Sequence, residues 1–424
     1  MRSFWIILLM IPSVLLAQTY TSYRTGSDND IETDAGGGIC LMGGATEHDE
    51  AMKWFLSRAN GGDVLVLRTS GSDGYNDYMY NLTTEPVNSV ETIVCHDAGC
   101  AGEIYIHEKI ESAEAIWFAG GDQWEYISYW QNTSVDSLIQ AGIDERNVVI
   151  GGTSAGMAIL GGMRFSAENG TVTSDEALTD PYNTYVTIDT STFIQLPFMN
   201  NVITDTHYDN PDRKGRHMTF IARLLTDYGI PARGIACDEY TAVCIDENRM
   251  ASVYGEYPDY EDFAWFVFPN CEIQVNLPEN CSSGEALTWH QGEEAVKVIK
   301  IPGTMEGSNQ LDLNDWLTQT GGEWYNWYAD TGAFYEIPSS APACSPTGFK
   351  TDLESFIKVY PNPANQRIHF SQRCIYALYN AAGKLIKQGE SNYIEVSGIS
   401  TGFYMMHIQH PETGNVNSQK VVIN

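Results

Sequence analysis

The chain has 424 residues, 43% of them hydrophobic and 18% charged, with a formal net charge of −32 at pH 7. That length suits two or three domains and allows a large core. So acidic a chain repels nucleic acid and anionic lipid, which argues against both as partners, and it attracts cations and basic ligands. The acidity is uneven: residues 351–424 carry 6 Lys and Arg against 5 Asp and Glu, which leaves 17 basic and 50 acidic side chains in the first 350 residues.

At the N-terminus, Arg2 precedes the uncharged apolar run 4–16, and Ala17 is a small residue suited to cleavage. This is the pattern of a signal peptide over residues 1–17, too short for a membrane span. The mature chain is expected to be soluble and exported. Nine cysteines lie beyond it, at 40, 95, 100, 237, 244, 271, 281, 344 and 374. Export permits disulfides. Proximity suggests Cys95 with Cys100, Cys237 with Cys244 and Cys271 with Cys281, although sequence does not fix connectivity. There is no CxxC and no Cys/His cluster at zinc spacing. The cysteines therefore read as structural, and no metal or other cofactor is expected.

From residue 36 to about 245, strand, loop and helix patterns repeat. Apolar runs ICLMGG (39–44), DVLVLRTS (63–70), AIWFAGGDQ (115–123) and NVVIGGTSAG (147–156) alternate with stretches of helical spacing such as EHDEAMKWFLSRA (47–59). This predicts an α/β domain with a mostly parallel sheet covered on both faces. Ligands bind such sheets at the carboxyl ends of the strands, where both glycine turns fall. The stretch 233–255 alternates apolar and polar residues and reads as antiparallel strands. Residues up to 337 read as the end of the same domain, and PSSAPACSPTG (338–348), within a linker set at 338–350, joins it to a C-terminal domain.

Residues 351–424 read as a small all-β sandwich of short strands with Asn, Gly and Pro turns. Its VYPNPAN (359–365), YNAAGKLI (379–386), STGFYMMHI (400–408) and terminal KVVIN resemble the C-terminal sorting domain of proteins exported by the type IX secretion system. The resemblance implies contact with that secretion machinery, passage through the outer membrane, removal of the tail, and a secreted or cell-surface protein. An immunoglobulin-like interaction module is the alternative.

Gly152-Thr153-Ser154-Ala155-Gly156 fits the G-x-S-x-G nucleophile elbow between a strand and a helix. Small flanking residues leave room for the tight turn, the hydroxyl is exposed, and the Ala155 amide can donate to a developing oxyanion. A serine nucleophile needs a base. His207 comes just after the apolar pair Val202-Ile203, so a strand end brings it to the same edge of the sheet. An acid orienting the imidazole is expected between the two, at Glu168, Asp175, Glu176 or Asp180.

Four motifs in order, FAGGDQ (118–123), GGTSAGMA (151–158), TDTH (204–207) and CDEYTAV (237–243), resemble cyanophycinase and its relatives, which include aspartyl dipeptidase E. The resemblance covers about residues 36–300. It implies a flavodoxin-like or class I glutamine-amidotransferase-like three-layer α/β fold. It also implies a serine peptidase acting through an acyl-enzyme on peptide or isopeptide bonds at aspartyl residues, with a peptide or polypeptide substrate, aspartyl or arginine-rich, and a homodimer. Residue by residue, Ser154 matches the nucleophile and His207 the base. Gln123 matches a residue lining the substrate pocket, and the neighbouring Gly121 or Asp122 amide is a second oxyanion donor beside Ala155. Glu176 is the first choice for the triad acid, then Asp175, then Glu168. Arg213 and Arg216 stand where the family has arginines after the histidine, while Pro211 replaces one of them and Tyr240 a smaller polar residue. Loss of one guanidinium fork removes a planar carboxylate clamp. The other readings are an α/β-hydrolase-type esterase, which would act on p-nitrophenyl esters, and a non-catalytic surface-binding protein on the same fold.

Overall fold

The computed structural model describes residues 18–83, 87–190, 193–348, 359–360, 364, 366–380, 384–409 and 416–423. The expected signal peptide, residues 1–17, lies outside them, as do residues 361–363 and 365 of VYPNPAN and residues 381–383 of YNAAGKLI. Two compact units divide between Phe349 and Lys350. Among the described residues no helix is long and apolar enough to cross a membrane.

The first unit opens with β1 (Tyr20–Gly26), β2 (Ile39–Met42), α1 (Asp49–Ser57), β3 (Asp63–Arg68), α2 (Asn76–Leu82) and β4 (Ser89–Cys95). It continues with α3 (Ile104–Ser112), β5 (Ala115–Phe118), α4 (Gln123–Trp130), α5 (Ser134–Arg146) and β6 (Val149–Thr153). Strands β4, β3, β5, β6 and β2 lie side by side in that order, all parallel, with β1 antiparallel at the edge. Every residue of β2, β4, β5 and β6 is buried, as parallel strands covered on both faces require. Alternate residues point to two cores. Cys40, Val66 and Trp117 meet Phe55 of α1 and Met79 of α2, and Leu41, Leu67 and Phe118 meet Ile106, Ile127 and Ile139 of α3, α4 and α5. This is the predicted three-layer arrangement.

A second sheet goes beyond the pattern expected from the sequence. After α6 (Ala155–Ala158), β7 (Arg164–Phe165), α7 (Ser174–Thr179) and β8 (Ile188–Asp189), the chain forms β9 (Val202–Asp205), α8 (Lys214–Tyr228) and β10 (Arg233–Cys237). It then runs through β11 (Ala242–Ile245), β12 (Met250–Tyr254), β13 (Phe263–Pro269), β14 (Val296–Pro302), β15 (Asn309–Asp312), β16 (Glu323–Asp330) and β17 (Ala333–Pro338). Strands β11, β12 and β15 extend the first sheet beyond β2, all antiparallel. The second sheet has the order β17-β16-β14-β13-β10-β9, and only β9 and β10 are parallel. The stretch expected to form antiparallel strands therefore divides between the sheets: β10 pairs parallel with β9, while β11 and β12 pair antiparallel in the first sheet. The two sheets share one core, in which Ile39 and Leu41 join Ile235, Phe266 and Ile299.

Cys95 bonds to Cys100 as proximity suggests, but Cys271 bonds to Cys344 rather than Cys281. Residues near 344 return to this corner, where the Ala343 amide donates to Glu272 Oε1 at 3.1 Å. Cys237 and Cys244 are not bonded to each other, because they lie on strands of different sheets.

The second unit contains β18 (Val359–Tyr360), β19 (Arg367–Asn380), β20 (Leu385–Glu395), β21 (Gly402–Gln409) and β22 (Val416–Ile423). All pairings are antiparallel, and β19 pairs with β18, β20 and β21. Ile368, Phe370, Leu378, Ile394, Met406 and Ile423 belong to a core of its own.

Candidate active site

The elbow is built as its small residues require. A Cβ on Gly156 would stand 2.0 Å from Phe118 O, and one on Gly152 would stand 2.6 Å from the Gly156 carbonyl carbon. Between them Ser154 has φ 52° and ψ −117°, a conformation that costs a non-glycine residue roughly 1–3 kcal/mol. The surrounding pairing holds it there: the Ser154 amide donates to Met42 O of β2 at 3.1 Å. Ala155 opens α6, so its N–H lies in the turn where no intrahelical acceptor exists. Gly120, ending the β5 turn, is so close that a Cβ there would lie 3.6 Å from Ser154 Cβ.

His207 lies just past β9, so it comes from the second sheet rather than, as expected, from the edge of the sheet that carries Ser154, and it reaches Ser154 from there. Its Nε2 is 2.8 Å from Ser154 Oγ, and its Nδ1 is 2.6 Å from Glu239 Oε1. A carboxylate at Nδ1 fixes the tautomer: Nδ1–H donates to Glu239, and Nε2 is left to accept the serine proton. The backbone around the pair is tied to the end of β2. The His207 amide donates to Gly43 O at 2.8 Å, Gly43 N–H to Thr241 O at 2.9 Å, and Tyr240 N–H to Gly44 O at 3.1 Å. Gly44 has φ +118°, and a Cβ there would be 2.4 Å from the His207 ring, so position 44 requires glycine. The Glu239 amide donates to Asp209 Oδ1 at 2.9 Å.

The acid expected at Glu176 is elsewhere. Glu176 closes a capping box on α7, where its Oε2 accepts from Thr173 N and Thr173 Oγ1, each at 2.9 Å. Those bonds hold its carboxyl below the ordinary range. Asp175 and Glu168 are exposed, and Asp180 Oδ1 accepts from Tyr182 N and Gly284 N. Glu239 takes the position because the crossing from β10 to β11 between the two sheets passes the histidine. It lies beyond the Ser154–His207 interval, but inside CDEYTAV, and like Ser154 and His207 it comes just after a strand and its core residues.

Arg216 is a second correction. It is 3% exposed and its guanidinium is spent inside the protein. Nε donates to Asp205 Oδ2 at 2.9 Å, Nη2 bonds Asp205 Oδ1, and Nη1 reaches Thr171 Oγ1 and Val172 O at 3.1 Å. Burial pushes the Asp205 carboxyl up, but this partner holds it below the ordinary range. Arg213 is different. Its Nη1 donates to Thr206 O at 2.9 Å, and its buried Nε has no partner among the described residues. Burial, then the nearby Arg216, pushes its pKa down to about 10. Gln123 begins α4 and its Nε2 donates to Phe165 O at 3.3 Å. Asp122 caps the same helix by accepting from Trp124 N at 2.9 Å. Gly121 and Asp122 are exposed in the turn beside Gly120.

Tyr240, next to Glu239, also walls a cavity of about 690 Å³. Glu47, Asp49, Glu50, Glu256 and Asp262 line it together with Tyr260. Several of these acids have local partners: Tyr75 Oη bonds Glu47, Tyr78 Oη donates to Asp49 at 2.9 Å and Lys53 to Glu50 at 2.7 Å. His48 lines the same cavity. Its Nδ1 caps α1, and its buried Nε2 has no partner among the described residues. Burial lowers its pKa, opposed by Glu256 and Asp262.

Residues 72–253 match peptidase family S51, and residues 358–424 match the secretion system C-terminal sorting domain. The chain is similar to the cyanophycinase of Geminocystis herdmanii, 26% identical over 150 residues, which is 35% of this chain and 49% of that protein. It is similar to the cyanophycinase of Trichormus variabilis, 25% identical over 186 residues, 44% of this chain and 55% of that protein. The chain thus spans about half the length of these curated relatives. Among solved structures it is similar to a peptidase from an acI-B1 Actinobacterium, with TM-score 0.38, 15% identity, and coverage of 53% of this chain and 89% of that one. The sorting domain indicates type IX secretion to the cell surface or the medium. The segment that holds Ser154, His207 and Glu239 therefore matches peptidase family S51, and the segment after it matches a secretion system C-terminal sorting domain.

Proposed function

We propose that this protein is a secreted serine peptidase that cleaves peptide or isopeptide bonds at aspartyl residues through an acyl-enzyme. The observation that carries this reading is the hydrogen-bonded chain Ser154–His207–Glu239, at 2.8 and 2.6 Å, on a strained elbow. The family S51 match and the similarity to cyanophycinases support it.

His207 Nε2 takes the Ser154 proton as Oγ attacks the scissile carbonyl carbon. The amides of Ala155 and of the Gly121–Asp122 turn receive the oxyanion, each worth about 3–4 kcal/mol in the barrier. His207 returns the proton to the departing nitrogen as the C–N bond breaks. Water then attacks the acyl ester, giving its proton to His207 and restoring the serine. Glu239 holds the ring and stabilises the imidazolium that forms. Arg213, bonded to the Thr206 carbonyl beside His207, is the candidate for the substrate carboxylate, and Gln123 is the candidate for a residue lining the pocket. The acidic cavity beyond Tyr240 suits a basic group on the same substrate.

Labelling with a serine-directed fluorophosphonate tests the reading. Wild type should label, and Ser154→Ala should not. Equal labelling of both would exclude Ser154 as nucleophile, and a labelled protein inert on α- and β-aspartyl peptides and on cyanophycin would exclude the aspartyl specificity.

A further inference from the structure

We propose that Cys40 and Cys244 are joined by a disulfide in the exported protein, a covalent staple across the strand seam that supports the catalytic residues. The two thiols belong to β2 and β11 and stand directly opposite each other in the antiparallel register. Their Sγ atoms are 3.6 Å apart although 204 residues separate them in sequence. Directly opposed residues of antiparallel strands have Cα atoms roughly 4.5 or 5.5 Å apart, within the range a disulfide spans. Bonding draws the sulfurs in from 3.6 Å to about 2.05 Å.

Cys237 does not compete for either thiol. It joins the core that β2 shares with the second sheet, where its Sγ meets Leu41 O at 3.8 Å. Cys40 and Cys244 belong to the core on the opposite face, with Phe55 and Trp117. The same unit holds two other disulfides, and export to an oxidising compartment permits a third.

The position of the pair gives the bond a consequence for the site. β2 lies between β6, which delivers Ser154, and β11, which begins just after Glu239. Within four residues of Cys40, β2 bonds Ser154 through Met42 O, and the two glycines after it bond His207 and Thr241 through Gly43 and Tyr240 through Gly44. A bond from Cys40 to Cys244 fixes β2 against β11 at the base of that scaffold.

Oxidation belongs to folding rather than to the finished enzyme. Both thiols are buried, and burial pushes the Cys244 thiol well above the ordinary range, so little attacking thiolate exists once the core closes. While the chain is still open, one thiolate attacks the disulfide of a periplasmic thiol–disulfide oxidoreductase. The second displaces it from the mixed disulfide. Two protons leave the cysteines, and the two electrons leave with the oxidoreductase as its dithiol.

This disulfide depends on export, not on the proposed triad, so the two fail separately. The full chain is exported, denatured without reductant, alkylated, then reduced, alkylated with a second isotopic reagent and mapped. Cys40 and Cys244 should carry only the second label, together with the peptides of Cys95, Cys100, Cys271 and Cys344. Cys237, Cys281 and Cys374 should carry the first. Cys40 and Cys244 both taking the first label would overturn the proposal, as would either of them linked to another cysteine. Export of Cys40→Ala/Cys244→Ala gives a second readout: its thermal midpoint should fall below that of wild type, whereas the same comparison made on protein from a reducing cytoplasm should show a smaller gap.

Discussion

His207 Nδ1 lies 2.6 Å from Glu239 Oε1, a pair brought together by the crossing from one sheet to the other. If Glu239 orients the imidazole, Glu239→Gln should keep the fold and lower kcat by about 10²–10⁴-fold. Glu176→Gln, which alters only a helix cap, should leave kcat within about twofold of wild type. Steady-state kinetics on one aspartyl peptide separates the two, and the reverse ranking would restore Glu176 as the acid.

Gly44 faces the His207 ring with no room for a methyl group. Gly44→Ala should displace the imidazole and reduce kcat about 100-fold, because small misplacements of a catalytic group are costly. The positive φ adds a stability loss of about 1 kcal/mol or more. Stopped-assay kinetics and urea unfolding on the same preparation measure both effects.

Arg213 and Arg216 should behave differently despite their proximity. Arg216→Met leaves buried Asp205 with only the more distant Arg213, at 4.0 Å, and should cost about 3–5 kcal/mol of stability. Arg213→Gln should fold normally and raise KM for aspartyl substrates about tenfold, with kcat changed less. Unfolding midpoints paired with kinetics check the split. A normal KM in a folded Arg213→Gln would remove Arg213 from the substrate pocket.

Asp238 adjoins the site and accepts from Trp265 Nε1 at 3.0 Å. Burial first, then the charge of Asp209, raises its pKa to about 8 from the ordinary 3.8. The folded state therefore keeps a proton that the unfolded chain has lost between about pH 4 and pH 8. This contribution to stability is full below that window and is lost as pH rises through it. Asp238→Asn should flatten the fall in urea midpoint between about pH 5 and pH 8. An unchanged slope would show that Asp238 titrates normally.

The sequence by itself determined the parallel half of the first sheet, since uninterrupted apolar strands alternating with amphipathic helices have one stable packing. It also marked the turn at Ser154, because the glycines around residue 154 belong to a turn too tight for side chains, but it set His207 on the same sheet edge, whereas β9 belongs to the second sheet. The sorting domain was legible in its turn motifs. Only the tertiary structure decided which carboxylate lies against His207, which partner holds Arg216, the partner of Cys271 and the second sheet. Strand 233–237 is equally apolar whether it pairs with β9 or with β11, so local pattern cannot say where the chain crosses. A carboxylate or guanidinium acquires its role from the charge that long-range folding sets opposite it. Glu239 met a histidine, Arg216 met Asp205, and neither meeting is written in the spacing of its neighbours.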